Sequence, residues 1–273
     1  MTFRDKACAH LSEYRESVLG LPPGTFIYRG RAVSRGHILP RKYARRNILD
    51  PYRDQFLASE FGKIKLHQYF HHLNSSQALC INVLFPALAE GKHSALITAL
   101  GVPIKQPFRP RFESESKAEV AKRRTSFDFH LSSKDEDVFV EVKYTEDGFG
   151  AANDDEEHRQ KFADTYVPLL NMSPFLTRAC HDRTFFLKNY QVLRNLVHIT
   201  AKSHVIFLFP KANGVVAEQA AQARDNFLTK QGKQRLHILF LEELLSQLIE
   251  ACGAHPLARH YHAVQEKYLG FLL

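Results

Sequence analysis

The 273-residue sequence is poor in cysteine and contains no long hydrophobic run. Its four cysteines, Cys8, Cys80, Cys180 and Cys252, are isolated, forming neither a C-x-x-C pair nor a disulfide pattern. Reduced thiols in a cytoplasm fit that usage. The most apolar stretch, 78–89, is interrupted by Asn82 and Pro86 and is too short to span a bilayer, so no membrane association is expected. The opening MTFRDKACAHLSEYRES is too charged for a signal peptide. Repeats and low-complexity tracts are also missing. The G-F-G at 148–150 has no G-x-x-G continuation opening a helix, so it is not a nucleotide-binding fingerprint. His67 and His71 have helical i, i+4 spacing, but H-E-x-x-H is absent and no third ligand follows, which argues against zinc.

What is present is a globular composition, 44% hydrophobic and 24% charged, with a net charge of +8 and an isoelectric point near 9.3. Arg29, Arg31, Arg35, Arg41, Lys42, Arg45 and Arg46 follow one another with no acidic residue among them, whereas 135–157 is strongly acidic. A basic arm beside an acidic pole suits a protein that grips phosphates and holds a metal. The expected organisation is a basic N-terminal extension over 1–60 followed by one α/β domain over 61–273.

The chemistry concentrates in TSFDFHLSSKDEDVFVEVKY, residues 125–144. Read with a period of two, Phe127, Phe129 and Leu131 share one face of a first strand, with Ser126, Asp128 and His130 on the other. In a second strand Val138, Val140, Val142 and Tyr144 oppose Asp137, Phe139, Glu141 and Lys143. An antiparallel pair with an even loop, 133–136, sets Asp128 opposite Glu141; an odd loop sets it opposite Val140 on the wrong face. Two facing carboxylates repel unless a cation lies between them, and a hard divalent ion with oxygen ligands, Mg²⁺, removes that cost.

Around this unit the sequence predicts a first helix to about residue 20, stopped by Gly20 and Pro22-Pro23-Gly24. A basic irregular stretch follows, then a helical period over 51–74. A further helix is capped by Asn74 or Ser75 and is ended or kinked by Pro86. A strand is expected over 108–113. After 184, Phe185, Phe186, Leu193, Leu196 and Val197 form an apolar stripe, with Gln191, Arg194 and Asn195 on one polar face. Residues 204–210 and 235–241 read as buried strands, with helices at 212–230, 242–252 and the tail. The expected fold is a mixed β-sheet, an antiparallel hairpin plus parallel strands, flanked by helices.

A D…E-x-K constellation on paired strands, followed by a Q-x-x-R-N helix, resembles the PD-(D/E)XK nuclease superfamily. Within it the chain is similar to an uncharacterised restriction-endonuclease-like family of prokaryotes. HILP with Asn47-Ile48-Leu49, the SSQ…N helix, S-F-D, E-V-K-Y-T-E, the following F-G and YQVLRN carry the likeness from His37 to Asn195. Phe127 stands where the motif's name has proline. The resemblance implies a restriction-endonuclease-like core and a Mg²⁺-dependent endonuclease hydrolysing DNA, in restriction or other defence, with Mn²⁺ as a substitute. Asp128, Glu141 and the main-chain carbonyl of Val142 would hold the ion, and Lys143 would orient or deprotonate the attacking water and stabilise charge on the phosphate. Glu113 and Glu146 are candidates for a further acid. Gln191 and Arg194 would approach the metal or the phosphate, with Asn195 beside them and Ser76 and Gln77 from the earlier helix. Arg41, Lys42, Arg45 and Arg46 would bind nucleic acid. The alternatives are a catalytically silent nucleic-acid binder on the same fold, and a repair or RNA-directed nuclease. Cutting both strands leaves a homodimer open.

Overall fold

A computed structural model describes residues 1–120 and 124–272, which form two compact units. The first comprises Met1–Leu100, Pro210–Asn213 and Phe240–Leu273; the second comprises Gly101–Phe209 and Gly214–Leu239. Residues 1–60, read above as an extension, lie within the first unit. Among the described residues no helix is long and apolar enough to cross a membrane.

In the first unit α1 (Phe3–Ser17) starts at a reciprocal cap, in which Thr2 Oγ1 accepts from Asp5 N–H and Asp5 accepts from Thr2 N–H. The stretch expected to be irregular contains a hairpin, β1 (Gly24–Tyr28) against β2 (Arg31–Arg35). Its two turn residues, Arg29 and Gly30, both have left-handed φ (49° and 76°), the conformation a tight two-residue hairpin turn requires. Arg29 fills a place usually taken by Asn or Gly, so Gly30 was the turn's one signal in the sequence. The next expected helix is also corrected. α2 (Tyr52–Ala58) is short, because Ser59 leaves the helix and caps a single turn, Glu60–Lys63. His67 and His71 therefore do not share a helical face.

α3 (Ser76–Ala89) begins at Ser75, whose hydroxyl accepts Ala78 N–H, and runs through Pro86 instead of ending there. Every residue from Gln77 to Leu88 is buried, so packing on all sides outweighs the backbone bond lost at the proline. α4 (His93–Leu100) closes the unit's N-terminal part.

Two asparagines within the motifs that carry the resemblance are tied into buried main chain. Asn47 donates to the carbonyls of Phe70 (2.8 Å) and His72 (2.7 Å), while Asn82 accepts Leu49 N–H (2.8 Å) and donates to Asn47 O (3.0 Å). These contacts tie the loop between the hairpin and α2 to α3 through main-chain groups that a buried loop cannot leave unpaired.

The second unit is built on one sheet in the order β3 (Arg109–Glu115), β4 (Ser126–Ser132), β5 (Asp137–Val142), β6 (Ser203–Phe209), β7 (Leu236–Phe240). β3, β4 and β5 pair antiparallel, and β6 joins β5 in parallel. Between β5 and β6 run α5 (Glu156–Lys161), α6 (Val167–Met172), α7 (Arg183–Lys188) and α8 (Tyr190–Leu196). α9 (Gly214–Gln222) and α10 (Lys230–Lys233) lead to β7. β6 is buried at every residue, as its unbroken apolar run predicts. β7 is only half-buried beyond Leu236, because it is the last strand of the sheet. The chain then returns to the first unit as α11 (Leu241–Cys252), stopped at Gly253 with φ +52°, and α12 (Pro256–Leu269).

From α12, Lys267 donates to both the carbonyl and the side-chain oxygen of Asn47 at 2.7 Å, and Tyr268 OH accepts from Asn82 at 2.9 Å. Gly36, just after β2, sits so close to Ser12 that an added Cβ would come within 2.7 Å of the serine Cβ. Gly36→Ala is therefore expected to destabilise the protein by about 1–3 kcal/mol through overpacking, read as a lower denaturant midpoint at unchanged slope.

Candidate active site

The polar turn between β4 and β5 has the even length that the register requires. Ser133 closes it, accepting the N–H groups of Asp135 and Glu136 on its hydroxyl and donating its own N–H to Glu136 O. The ladder then runs Ser132↔Asp137, Leu131↔Val138, His130↔Phe139, Phe129↔Val140. One more step would pair Asp128 with Glu141, but the ladder stops there. The Asp128 carboxylate takes over instead: Oδ2 accepts the N–H of Val142 at 2.7 Å, a donor that a continuing strand would have used. The strands part at the residues that carry the charge.

The partner strand is interrupted at the same level. Phe112 pairs with Phe129 and Ser114 with Phe127, and Glu113 between them has φ +48°, a left-handed conformation uncommon for a residue with a side chain. This break corrects the simple alternation. Phe129 meets Phe112 at 4.9 Å, whereas Phe127 lies 4.6 Å from Phe139 and 5.0 Å from His198, with the residues of the other face.

Around Glu141 two predicted residues converge. Lys143 Nζ lies 3.1 Å and Gln191 Nε2 3.0 Å from Glu141 Oε1, and Glu141 and Lys143 are each only 6% exposed. Burial works against the Lys143 ammonium, but Glu141, Glu146 and Asp128 outweigh it and its pKa is raised. Lys143 is therefore a cation in this setting. The Asp128 carboxyl is pushed well above its usual range by burial, then by the charges of Glu141 and Glu113. Glu146 is turned to the backbone, accepting Tyr144 N–H at 2.6 Å.

This donor set suits a hard cation: two carboxylates, one held above its usual range by burial and then by the charge of its neighbours. Among the described residues, however, no three His, Cys, Asp or Glu side chains come together in a way that could hold a metal. Any ion would thus rest on Asp128 and Glu141 plus backbone or water oxygen.

The remaining candidates separate. Gln191, Arg194 and Asn195 do not form one open polar face. Arg194 donates to Thr125 Oγ1 at 3.1 Å and lies over the Tyr190 ring, while Asn195 is 1% exposed. α8 is too deeply packed for i, i+3, i+4 spacing to mean solvent. Thr125 is also clasped by Glu119, a buried carboxylate that takes its N–H and hydroxyl, and His198 bonds Ser116 Oγ at 2.6 Å. Sequence reasoning missed Glu119, which stands outside any periodic strand.

Ser76 and Gln77 belong to the first unit, whereas Asp128, Glu141 and Gln191 belong to the second. The Gln77 amide is used at both ends, accepting His67 N–H at 2.8 Å and donating to Lys65 O at 3.2 Å. Arg41, Lys42 and Arg45 are exposed and Arg46 half-exposed on one short helical turn, Arg41–Asn47.

Comparison with known proteins places this geometry in context. A model of the family described as restriction endonuclease associating with ARP matches residues 8–269. No curated protein and no solved structure matches the chain.

Proposed function

The chain belongs to this restriction-endonuclease family, and from that premise we propose that it is a metal-dependent endonuclease of the PD-(D/E)XK type, hydrolysing DNA phosphodiester bonds in defence against foreign DNA. The observation that carries the proposal is the convergence of Asp128, Glu141, Lys143 and Gln191 where β4 and β5 part. Asp128 and Glu141, with the Val142 carbonyl, would hold Mg²⁺. The ion would supply Lewis acidity and lower the pKa of a bound water, easing its deprotonation for attack. Lys143 brings positive charge to the phosphate as negative charge builds on it. Gln191 fixes the Glu141 carboxylate by donating to Oε1, leaving its second oxygen to act.

Linearisation or nicking of supercoiled plasmid in Mg²⁺, abolished by chelator, tests the assignment. DNA binding without metal-dependent cleavage would replace it with a silent binder. Cleavage of RNA or branched DNA alone would move it to another nuclease class. The exposed Arg41–Asn47 turn should contribute to phosphate binding. Neutralising Arg41, Lys42, Arg45 and Arg46 to Gln is expected to flatten the salt dependence of DNA binding by about 0.9 for each phosphate no longer neutralised. An unchanged slope would make the turn ordinary surface.

A further inference from the structure

The β1–β2 hairpin carries almost no core. Apart from Gly24, which is buried, and Phe26 and Val33, which are half-buried, its strand residues are exposed on both faces. Isolated two-stranded hairpins are marginal in water, and this one is braced at its base. Arg15 of α1 donates through Nε to Gly36 O at 2.6 Å and through its guanidinium to Leu21 O, clamping the chain before and after the hairpin. Gly24 N–H bonds Ile38 O at 2.7 Å, and the Phe26 ring meets Tyr69 and His72 edge-on. Beyond that base the ribbon projects Ile27 (57% exposed), Tyr28 (55%), Arg29 and Arg31.

Its two faces differ. Pairing sets Phe26 with Val33 and Tyr28 with Arg31 on one face, and Thr25 with Ser34 and Ile27 with Ala32 on the other. The second face is short, uncharged and exposed, a mixture of methyl groups and hydroxyls, with the Ser34 hydroxyl donating to Gly24 O at 3.1 Å. Arg31 and Arg35 stand on the first face and Arg29 in the turn, and the sequence has no acidic residue between Glu16 and Asp50.

We propose that this ribbon enters the major groove of duplex DNA, with Thr25, Ile27, Ala32 and Ser34 toward the base edges and Arg29, Arg31 and Arg35, on the turn and the outer face, reaching the phosphates that line the groove. The proposal rests on the nuclease reading above and names the element by which such an enzyme would select its site. Size supports it: a major groove about 12 Å wide admits a two-stranded ribbon, and a minor groove of about 6 Å does not. Chemistry supports it too, since threonine and alanine methyls touch the thymine methyl and serine and threonine hydroxyls bond either base type. A second copy pairing along an open strand edge would bring like-charged arginines together, which opposes that occupant.

The test is duplex binding in chelator, so that cleavage does not interfere, using mixed-sequence plasmid fragments and an RNA duplex as probes. Arg29→Asn, Arg31→Gln and Arg35→Gln are combined, with Asn chosen because it tolerates the left-handed turn position. Affinity should fall at least about tenfold, and the salt slope by about 2–3. Wild type should prefer DNA over RNA duplex, whose major groove is too narrow to read. Ile27→Ser should weaken binding to thymine-containing fragments more than to fragments with uracil in its place. Unchanged affinity and slope overturn the proposal. So does equal binding of the RNA duplex, or an equal loss when Lys6, Arg178 and Arg259, exposed elsewhere, become Gln. Wild type that cuts DNA while the ribbon variant binds and cuts equally well removes the ribbon alone. Wild type that neither binds nor cuts removes the nuclease reading with it.

Discussion

Asp128→Asn should leave the protein at least as stable as wild type and remove its metal-dependent cleavage, by about 10³-fold or more. The two halves of that expectation have separate causes. Asparagine keeps an oxygen to accept Val142 N–H, so the parting of β4 and β5 retains its bond. It also deletes a charge that burial, Glu141 and Glu113 oppose. Because the folded pKa of Asp128 is raised, its ionised form costs stability above the unfolded carboxylate value, and the cost grows as pH climbs through the folded pKa. At neutral pH without metal, the neutral amide is therefore no worse. Glu141→Gln and Lys143→Met should lose cleavage similarly, but each strands a buried partner of the Lys143–Glu141 pair and should destabilise. Denaturant unfolding in chelator beside plasmid cleavage in Mg²⁺ checks both halves. Full cleavage by Asp128→Asn would remove the proposed mechanism.

Asn47→Ala should cost about 3–5 kcal/mol, a large share of the stability of a typical domain. The substitution takes the donor from the carbonyls of Phe70 and His72 and one acceptor from Lys267, all deep in the first unit. Lys267 itself is completely buried, and burial, followed by the charge of Arg53, drives its pKa well below the ordinary lysine value. A lysine with a depressed folded pKa binds its proton less readily than the unfolded chain. Its contribution therefore rises with pH between the folded pKa and the unfolded lysine value. The difference in stability between wild type and Lys267→Met should grow in wild type's favour as pH rises through that window. A pH-independent difference would mean that Lys267 keeps its charge in the core.

The sheet and the site were legible where local pattern and tertiary context agreed. Period-two alternation left the register to the parity of the turn, which has the even length, and the mixed sheet with flanking helices followed from the strand and helix order. What the pattern could not carry was the end of the ladder, because it depends on Glu113 adopting a left-handed backbone and on a side chain replacing a main-chain acceptor. Identical spacing gave opposite outcomes on α8: Gln191 reaches Glu141, but Arg194 turns to Thr125 and Asn195 is buried. The structural roles of Asn47 and Asn82 were not legible, since sequence does not separate an amide that serves buried main chain from one that faces a ligand. Pro86 and the Tyr28-Arg29-Gly30-Arg31 turn misled for a related reason. Packing held a helix through a proline, and arginine took a backbone conformation it seldom adopts.

Anomalous scattering from a Mn²⁺-soaked crystal tests the central claim most directly. The expected result is a peak within about 2.0–2.6 Å of carboxylate oxygens of both Asp128 and Glu141, with the Lys143 ammonium alongside, lost in Asp128→Asn. A peak elsewhere, or none in a preparation that cuts DNA with Mn²⁺, would contradict it.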